Sequence, residues 1–435
     1  MTSEEFMGLV YSPHIGLYFC VLLVVVCLYC LVLKKIIHSI IDPSLFATLN
    51  LAFAAAVPIF LYYAGFCPDK HIIYFATSQM ILVGVFLLVT RNINYNQLLM
   101  NTVNHEYDKN RFFFNICLVI YLFTTLYSWL INGIPIFNEN RFEINTDNSS
   151  GILGLLGRFS DACRLFCTLY IFYLYFHGRK KYSSILMLLL IAISMMSGSK
   201  GFIFSFVKAY FFYSVFYAGK MPKVKKKYIL PIAAMPLCVI LLAGYANGGL
   251  SSVLYFGYRL LANGDTYWNA YPYSVIDNIK VGMPFLNITS IFWGPFRHIF
   301  GFDVDKSLFE TVGALLFEYN YRVYPDGGAP NSQLSVVSYA FYRWGGLLMT
   351  AIMALIGSRL YCMGYKRAPQ NIYVCCKRAL LVMMGLAVFG DIYLFFNGLF
   401  NYLLFVGLYK SSNVLYPLIY SEKNNGKSFN CNSGL

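Results

Sequence analysis

Arginine is the residue whose placement in this sequence most directly indicates a chemistry. Its guanidinium is permanently charged and its planar fork grips phosphate through paired hydrogen bonds, so several converging arginines predict a site for pyrophosphate or another polyanion. The alternative is that each arginine pairs with a neighbouring acid or with a lipid phosphate. The arginines in or beside the two longest loops are Arg141, Arg158, Arg164, Arg259, Arg297, Arg322 and Arg343.

Arg164 is the most specific of these residues. It lies within an apolar stretch, and Asp161, three residues before it, falls on the same face of a helix. A charged side chain inside a membrane helix is costly and usually faces a polar cavity. Arg343 stands at the mouth of a later apolar stretch. The alternative for both is that the long side chain extends its charge to the membrane interface.

A transfer reaction beside a polyanion also needs a group that accepts a proton. His298 follows an arginine, and neighbouring positive charge favours a neutral imidazole that acts as a base or donates a hydrogen bond. A lone histidine is also compatible with a structural role. Asp265 and Asp326 are the alternative bases. Asp303 and Asp305 form an acidic pair without further ligands beside them, so neither a metal nor a cofactor is assigned.

The elements that position these residues are those of a membrane protein. Of the 435 residues, 58% are hydrophobic and only 12% are charged, whereas a soluble domain carries about 25% charged residues. Apolar runs of roughly 18 to 25 residues match the hydrocarbon core and lack the alternation of a β-barrel strand. The sequence predicts an all-α polytopic membrane protein with about eleven transmembrane helices, within a range of ten to twelve. The predicted spans are 16–33, 43–65, 72–90, 112–131, 159–176, 182–197, 202–219, 228–246, 336–358, 379–396 and 398–418.

The net charge of +14 is distributed unevenly between the predicted loops. With the N-terminus outside, basic clusters such as 179–181, 220–227 and 359–378 fall on the cytoplasmic side, as the positive-inside rule requires. The positive charge therefore reports membrane orientation and does not indicate a nucleic-acid partner.

This orientation divides the chain into four parts. Residues 1–246 form an N-terminal transmembrane bundle with an external loop at 132–158, and residues 336–420 form the C-terminal transmembrane helices. A polar cytoplasmic tail covers 421–435. The large loop 247–335 is external, is too long for a simple connector, and is predicted to contain short helices, one of them amphipathic around residues 308–319.

Three segments of this sequence resemble motifs of the Wzy-type oligosaccharide repeat-unit polymerases. They are Gly133-Ile134-Pro135 followed by Arg141, the turn Gly198-Ser199-Lys200-Gly201, and Gly327-Gly328-Ala329-Pro330 leading into Tyr342-Arg343-Trp344-Gly345-Gly346. Lys200 replaces the arginine of the family's turn, which removes the bidentate fork. The family's aromatic-Gly-x-x-Gly spacing is also altered. The resemblance covers most of the chain and depends equally on the layout of spans around one large external loop.

The resemblance implies a GT-C-like helical fold in the bacterial inner membrane, with an active site that faces the periplasm. The implied activity is metal-independent glycosyl transfer between two undecaprenyl-pyrophosphate-linked glycans, donor and acceptor, with membrane lipids and a chain-length regulator as further partners. The residues it suggests for pyrophosphate or substrate binding are Arg141, Arg164, Arg259, Arg297, Arg343 and Lys200, and the candidate bases are His298, Asp265 and Asp326.

Two other functions fit the same layout. An O-antigen ligase transfers the finished glycan to a lipid A core and shares the arrangement of spans and loop. A flippase for the lipid-linked unit belongs to a different class, and it predicts charged residues at the midplane of several helices and no need for a large loop.

Overall fold

A computed structural model describes residues 1–93, 99–103, 107–137, 151–197, 202–222, 252–292, 310–325 and 329–428. The described chain is predominantly helical. The α-helices of four or more residues in its first half are α1 Ile15–Val32, α2 Pro43–Tyr63, α3 Asp69–Thr90, α4 Tyr107–Asn132, α5 Gly151–Phe176, α6 Lys180–Met196 and α7 Phe202–Phe212. They are followed by α8 Ser252–Leu261, α9 Asp265–Ala270, α10 Val275–Asn278, α11 Pro284–Ile288, α12 Val312–Tyr321, α13 Leu334–Tyr342, α14 Gly346–Gly364, α15 Ile372–Ala387 and α16 Ile392–Ser428.

Shorter elements connect or extend these helices. A π-helical turn at Tyr213–Tyr217 continues α7, and a 3₁₀ turn at Arg343–Gly345 joins α13 to α14. Strands β1 Leu99–Val103 and β2 Ala368–Gln370 pair in parallel, so two distant loops meet at one end of the bundle. The remaining turns are Ser3–Glu5, Phe6–Tyr11, Lys34–Ile36, Pro135–Phe137, Ala262–Gly264 and Pro272–Ser274.

Six helices of the described residues are long and apolar enough to cross a membrane, so the prediction of about eleven is not supported. They confirm the coarser prediction of an all-α membrane protein. Local sequence signals mark the start of α2. Asp42 accepts the Ser44 amide at 2.8 Å, and Pro43 follows as the first helical residue. The six are Ile15–Val32, Pro43–Tyr63, Asp69–Thr90, Asp108–Asn132, Leu334–Gly364 and Ile392–Ile419.

The other predicted spans are not among these six helices, for identifiable reasons. Three charges, Arg158, Asp161 and Arg164, lower the hydropathy of α5, which begins at Gly151 inside the segment predicted as a loop. Helix α6 is one turn shorter than a typical span at 17 residues, and the apolar helix 203–217 is shorter still. The predicted span 228–246 lies outside the described residues.

The predicted span 379–396 is wrong, because it merges parts of two helices. Helix α15 ends at Ala387 and α16 begins at Ile392. Asp391 accepts the Tyr393 amide at 2.7 Å, the hydrogen bond of a helix start. Because the residues on both sides of this break are apolar, a hydropathy pattern does not show the break. At the far end α16 continues to Ser428, into the predicted tail.

Helices α14 and α15 pack closely against each other. A Cβ added at Gly385 would lie 2.6 Å from the carbonyl oxygen of Gly357, and one added at Gly364 would lie 2.5 Å from Val382. Small residues that allow such backbone approach are the usual means of packing helices in lipid, where hydrophobic association between helices is weak. Helix α3 also packs against α14.

Short helices cover one end of the bundle, as the sequence predicts for the large loop. This capped end is where α1 begins, α2 ends and α3 begins. Trp268 of α9 stacks on Phe6 with ring centroids 4.6 Å apart, and an added Cβ at Gly264 would meet the backbone of Ala54 in α2 at 2.8 Å. A helix is observed in the stretch predicted to be amphipathic, namely α12, and its apolar residue Leu316 is buried within the protein and not at a membrane interface.

Candidate functional site

Helix α5 carries Arg164 into a polar cavity between helices. The cavity has a volume of about 80 Å³ and is lined by Arg164 together with hydroxyl side chains of α5, α6, α7 and neighbouring residues, namely Tyr121, Thr168, Ser194, Ser197 and Ser205. Arg164 lies 3.3 Å from Asp161, so the two residues share a helix face as their spacing predicts and also form an ion pair. Half of the Arg164 side chain is exposed, so the pair leaves donors of the guanidinium available to a ligand.

A second cavity adjoins the first, and Ser197 lines both. Its volume is about 320 Å³, and it includes Asp161 and Arg158 as well as Trp129 and Pro135 at the end of α4. Arg158 also donates a hydrogen bond to Asn397 Oδ1 of α16. Arg158 and Arg164 therefore line two neighbouring cavities beside α5.

Asp277 is the centre of a different charged cluster at the capped end. Lys70 Nζ lies 2.6 Å from Asp277 Oδ2, and the Tyr339 hydroxyl donates to Oδ1 at 2.9 Å. His71 Nε2 lies 3.5 Å from Oδ2, and the His71 ring is buried and stacked on Tyr271 with centroids 5.2 Å apart. Burial alone raises the pKa of Asp277, but the hydrogen bonds from Lys70 and Tyr339 and the neighbouring charge lower the pKa below its ordinary value.

Arg343 belongs to this Asp277 cluster. Its Nη1 and Nη2 donate to the carbonyl oxygens of Ile276 and Asp277 at 2.8 and 3.0 Å, and Nη1 lies 3.7 Å from Asp277 Oδ1. Arg343 has a φ of 51°, which residues other than glycine rarely adopt. No described contact joins Arg343 to Arg164. Its described contacts fasten the C-terminal end of α10 to the junction between α13 and α14.

Asp265 lies in a network that links the cap to the last two long helices. Its Oδ1 accepts the backbone amides of Thr266 and Asn331, each at 2.9 Å. Asp391 Oδ2 accepts the next amide, that of Ser332, at 2.9 Å. The two carboxylates therefore hold two successive backbone amides in front of α13. Among the described residues, none donates a hydrogen bond to Asp265 Oδ2.

Both carboxyl groups of this network are easier to protonate than a carboxyl group in water. Burial, together with the nearby negative charge of Asp391, raises the pKa of Asp265 to about 7 against the lowering effect of its amide donors. Burial likewise raises the pKa of Asp391 to about 6. A carboxylate with a pKa near neutrality is suited to general base catalysis.

The remaining sequence-predicted residues divide into two groups. Arg259 is half-buried in the last turn of α8, at the capped end with Asp265. Five residues lie outside the described part of the chain: Arg141, Lys200, Arg297, His298 and Asp326. Within the described ranges no three His, Cys, Asp or Glu side chains form a group that could hold a metal ion.

Sequence reasoning missed four charged or titratable residues of these sites, Lys70, His71, Asp277 and Asp391, and it named Arg158 among the loop arginines without assigning it to the site. Arg158 had a readable signal, since it precedes Asp161 by three residues and so neighbours it on the helix surface once α5 is extended to Gly151. Lys70 and Asp277 are 207 residues apart, and no local pattern links them.

The fold and the cavities together define a helical membrane protein with a polar, arginine-lined space inside its bundle. No family model, curated protein or solved structure matches the chain.

Proposed function

We propose that this protein joins undecaprenyl-pyrophosphate-linked oligosaccharide repeat units into a surface polysaccharide at the periplasmic face of the bacterial inner membrane. The observation that supports this best is the cavity of Arg164 and the adjoining space of Arg158. Two permanent cations and several hydroxyl donors inside a membrane bundle suit a lipid-linked pyrophosphate, whose isoprenoid tail remains in the bilayer while its charge needs a polar site.

The size of the cavities assigns them different roles. The space of about 80 Å³ beside Arg164 is much smaller than an ordinary ligand pocket, whereas the adjoining space of about 320 Å³ reaches the lower limit of that range, about 300 Å³. In the proposed complex the pyrophosphate occupies the larger space, with Arg158 in its lining and Arg164 donating from the neighbouring smaller cavity.

The proposed reaction is a substitution at the anomeric carbon of the growing chain. A hydroxyl of the acceptor's non-reducing end attacks that carbon, a new glycosidic bond forms, and the bond to undecaprenyl pyrophosphate breaks. The arginines stabilise the charge that develops on the departing pyrophosphate. The hydroxyl proton passes to a base.

Asp265 is the one candidate base that lies within the described residues. Its pKa of about 7 lies near the working pH, and its Oδ2 accepts no hydrogen bond from the described residues. His298 and Asp326 are the alternative bases. In this proposal Arg343 fastens the cap beside the site. A direct role in pyrophosphate binding stays a prediction for Arg343, and equally for Arg141, Lys200, Arg259 and Arg297.

The proposal is tested by deleting the gene from its host and examining the cell-surface polysaccharide. Loss of a polymerase leaves a lipid core that carries a single repeat unit. Loss of a ligase leaves no attached repeat units, and loss of a flippase leaves the lipid-linked units on the cytoplasmic side. Either of the last two patterns contradicts the proposal.

A further inference from the structure

A third cavity lies at the opposite end of α5, away from the capped end. It has a volume of about 280 Å³ and is formed by the start of α4, the end of α5 and the start of α6. Arg111 comes from α4, and Arg179 caps the start of α6. Two arginines from different helices therefore border one concave space.

The other polar groups of this cavity are also donors. Asn115 follows Arg111 by one helical turn, and the Tyr182 hydroxyl follows Arg179 by three residues. No acidic residue lines the cavity, and no described carboxylate lies within ion-pair distance of either arginine. Such a set of donors favours an anion, and the two planar forks favour an oxyanion that accepts several hydrogen bonds at once.

The aromatic lining of the cavity, its level in the membrane and its volume limit the kind of ligand that it can bind. Phe114 and Tyr170 are buried and stacked with centroids 4.5 Å apart, which gives the cavity an apolar wall. Arg111 lies in the first turn of the span Asp108–Asn132, at the level where a bilayer changes from headgroup to hydrocarbon. A volume of about 280 Å³ takes a headgroup and is below that of a pocket for a larger soluble ligand.

We propose that the cavity between Arg111 and Arg179 binds a phosphate ester, carried by an anionic phospholipid headgroup or by a small soluble molecule. The two guanidinium groups and the Tyr182 hydroxyl contact the phosphate oxygens. The aromatic wall contacts the glycerol part of a lipid. This site is separate from the Arg164 cavity, and its occupancy does not depend on the proposed polymerase activity.

The test measures stabilisation of the purified full-length protein in a neutral detergent by thermal denaturation. The ligands are dihexanoyl-phosphatidylglycerol, inorganic phosphate, and dihexanoyl-phosphatidylcholine as the zwitterionic control. The variants are Arg111→Gln and Arg179→Gln, and the matched control is Arg91→Gln, which removes an exposed arginine from the same end of the bundle outside the cavity.

We expect phosphatidylglycerol to raise the melting temperature and each cavity variant to raise the half-saturating concentration about tenfold, since one charge-assisted hydrogen bond is worth at least that factor. Arg91→Gln should leave it unchanged. An equal, arginine-dependent response to inorganic phosphate identifies a soluble phosphate as the source, whereas a response to phosphatidylglycerol alone identifies a lipid.

Two outcomes overturn the proposal. One is that neither phosphatidylglycerol nor phosphate stabilises the protein more than phosphatidylcholine does. The other is that Arg91→Gln weakens binding as much as the cavity variants, which means that general surface charge is responsible. If a glutamine variant fails to fold, Arg111→Lys and Arg179→Lys keep the charge and should retain part of the binding.

Discussion

Arg164 lies in the middle of α5 and Arg343 lies at the junction of α13 and α14, and the structure uses the two arginines differently. Arg343 donates to two backbone carbonyl groups and lies 3.7 Å from Asp277, so its charge holds one part of the protein to another. Arg164 has one partly exposed carboxylate partner and faces a cavity. A cation with satisfied donors stabilises the fold, whereas a cation with donors left over is able to bind a ligand.

The largest expected effect is on function and concerns Arg164→Ala. If this arginine binds the leaving pyrophosphate, polysaccharide chain extension in a deletion strain should fall by about 100-fold, the equivalent of two charge-assisted hydrogen bonds lost from the transition state. Arg164→Lys should recover part of the chain length because it keeps the charge without the fork.

The stability of the Arg164→Ala protein provides the control. Its partner Asp161 is exposed, so the ion pair should contribute less than about 1 kcal/mol to folding, and the melting temperature should change little. Full-length polysaccharide from both the alanine and the lysine variant would contradict the assignment of Arg164 to the pyrophosphate.

The next effect is on stability and concerns Asp277→Ala. This change leaves Lys70, Arg343 and the buried His71 without their shared carboxylate, and we expect the protein to lose about 2 kcal/mol of stability. Thermal denaturation in detergent measures the loss, and limited proteolysis should show earlier cleavage within residues 252–292. Unchanged stability and an unchanged cleavage pattern would mean that the Asp277 cluster does not fasten the cap.

A third prediction concerns pH and the network of Asp265 and Asp391. Their pKa values in the folded protein, about 7 and about 6, are above the ordinary value of 3.8, so the folded state binds protons more tightly than the unfolded state. The stability that the network contributes should therefore fall as the pH rises from about 4 to about 7.

The variants Asp265→Asn and Asp391→Asn separate this effect from other titrations, because each mimics the protonated acid at every pH. Their melting temperatures should depend less on pH between 5 and 8 than that of the original protein. The pKa of Asp277 is lowered, so its titration acts at more acidic pH and with the opposite sign. Parallel pH profiles for all three proteins would disprove the assignment.

The smallest expected effect is that of Lys70→Met. Half of the Lys70 side chain is exposed, and an exposed ion pair contributes only about 0.5 kcal/mol. Asp277 also keeps Tyr339 and Arg343 as partners. A loss in melting temperature as large as that of Asp277→Ala would mean that the Lys70 contact, and not the arginine, fastens the cap.

Much of the fold could be predicted because hydrophobic runs and local start signals coincide. Helices α1, α2 and α3 begin and end within three residues of the predicted bounds. The start of α5 could not be predicted in this way, because Gly151, Gly154 and Gly157 are typical of loops. Tertiary packing overrides that local preference, and Gly154 is buried in the helix.

The candidate site was predictable only where its residues are close in sequence. The pair of Asp161 and Arg164 follows from helical spacing and is observed. The partners of Arg343 could not be inferred, because Asp277 reaches it only after the intervening chain has folded across the end of the bundle. The same is true of Asp391 and Ser332, which are 59 residues apart.

The Asp277 cluster also sets an order of events during biosynthesis. A ribosome produces Lys70 and His71 first, then Asp277, and Tyr339 and Arg343 only later. A nascent chain that has reached Asp277 can form the contact with Lys70. The carbonyl groups of Ile276 and Asp277 do not yet have an arginine donor. The short helices can therefore pack fully against the bundle only after the C-terminal helices enter the membrane. This packing is a late step in assembly.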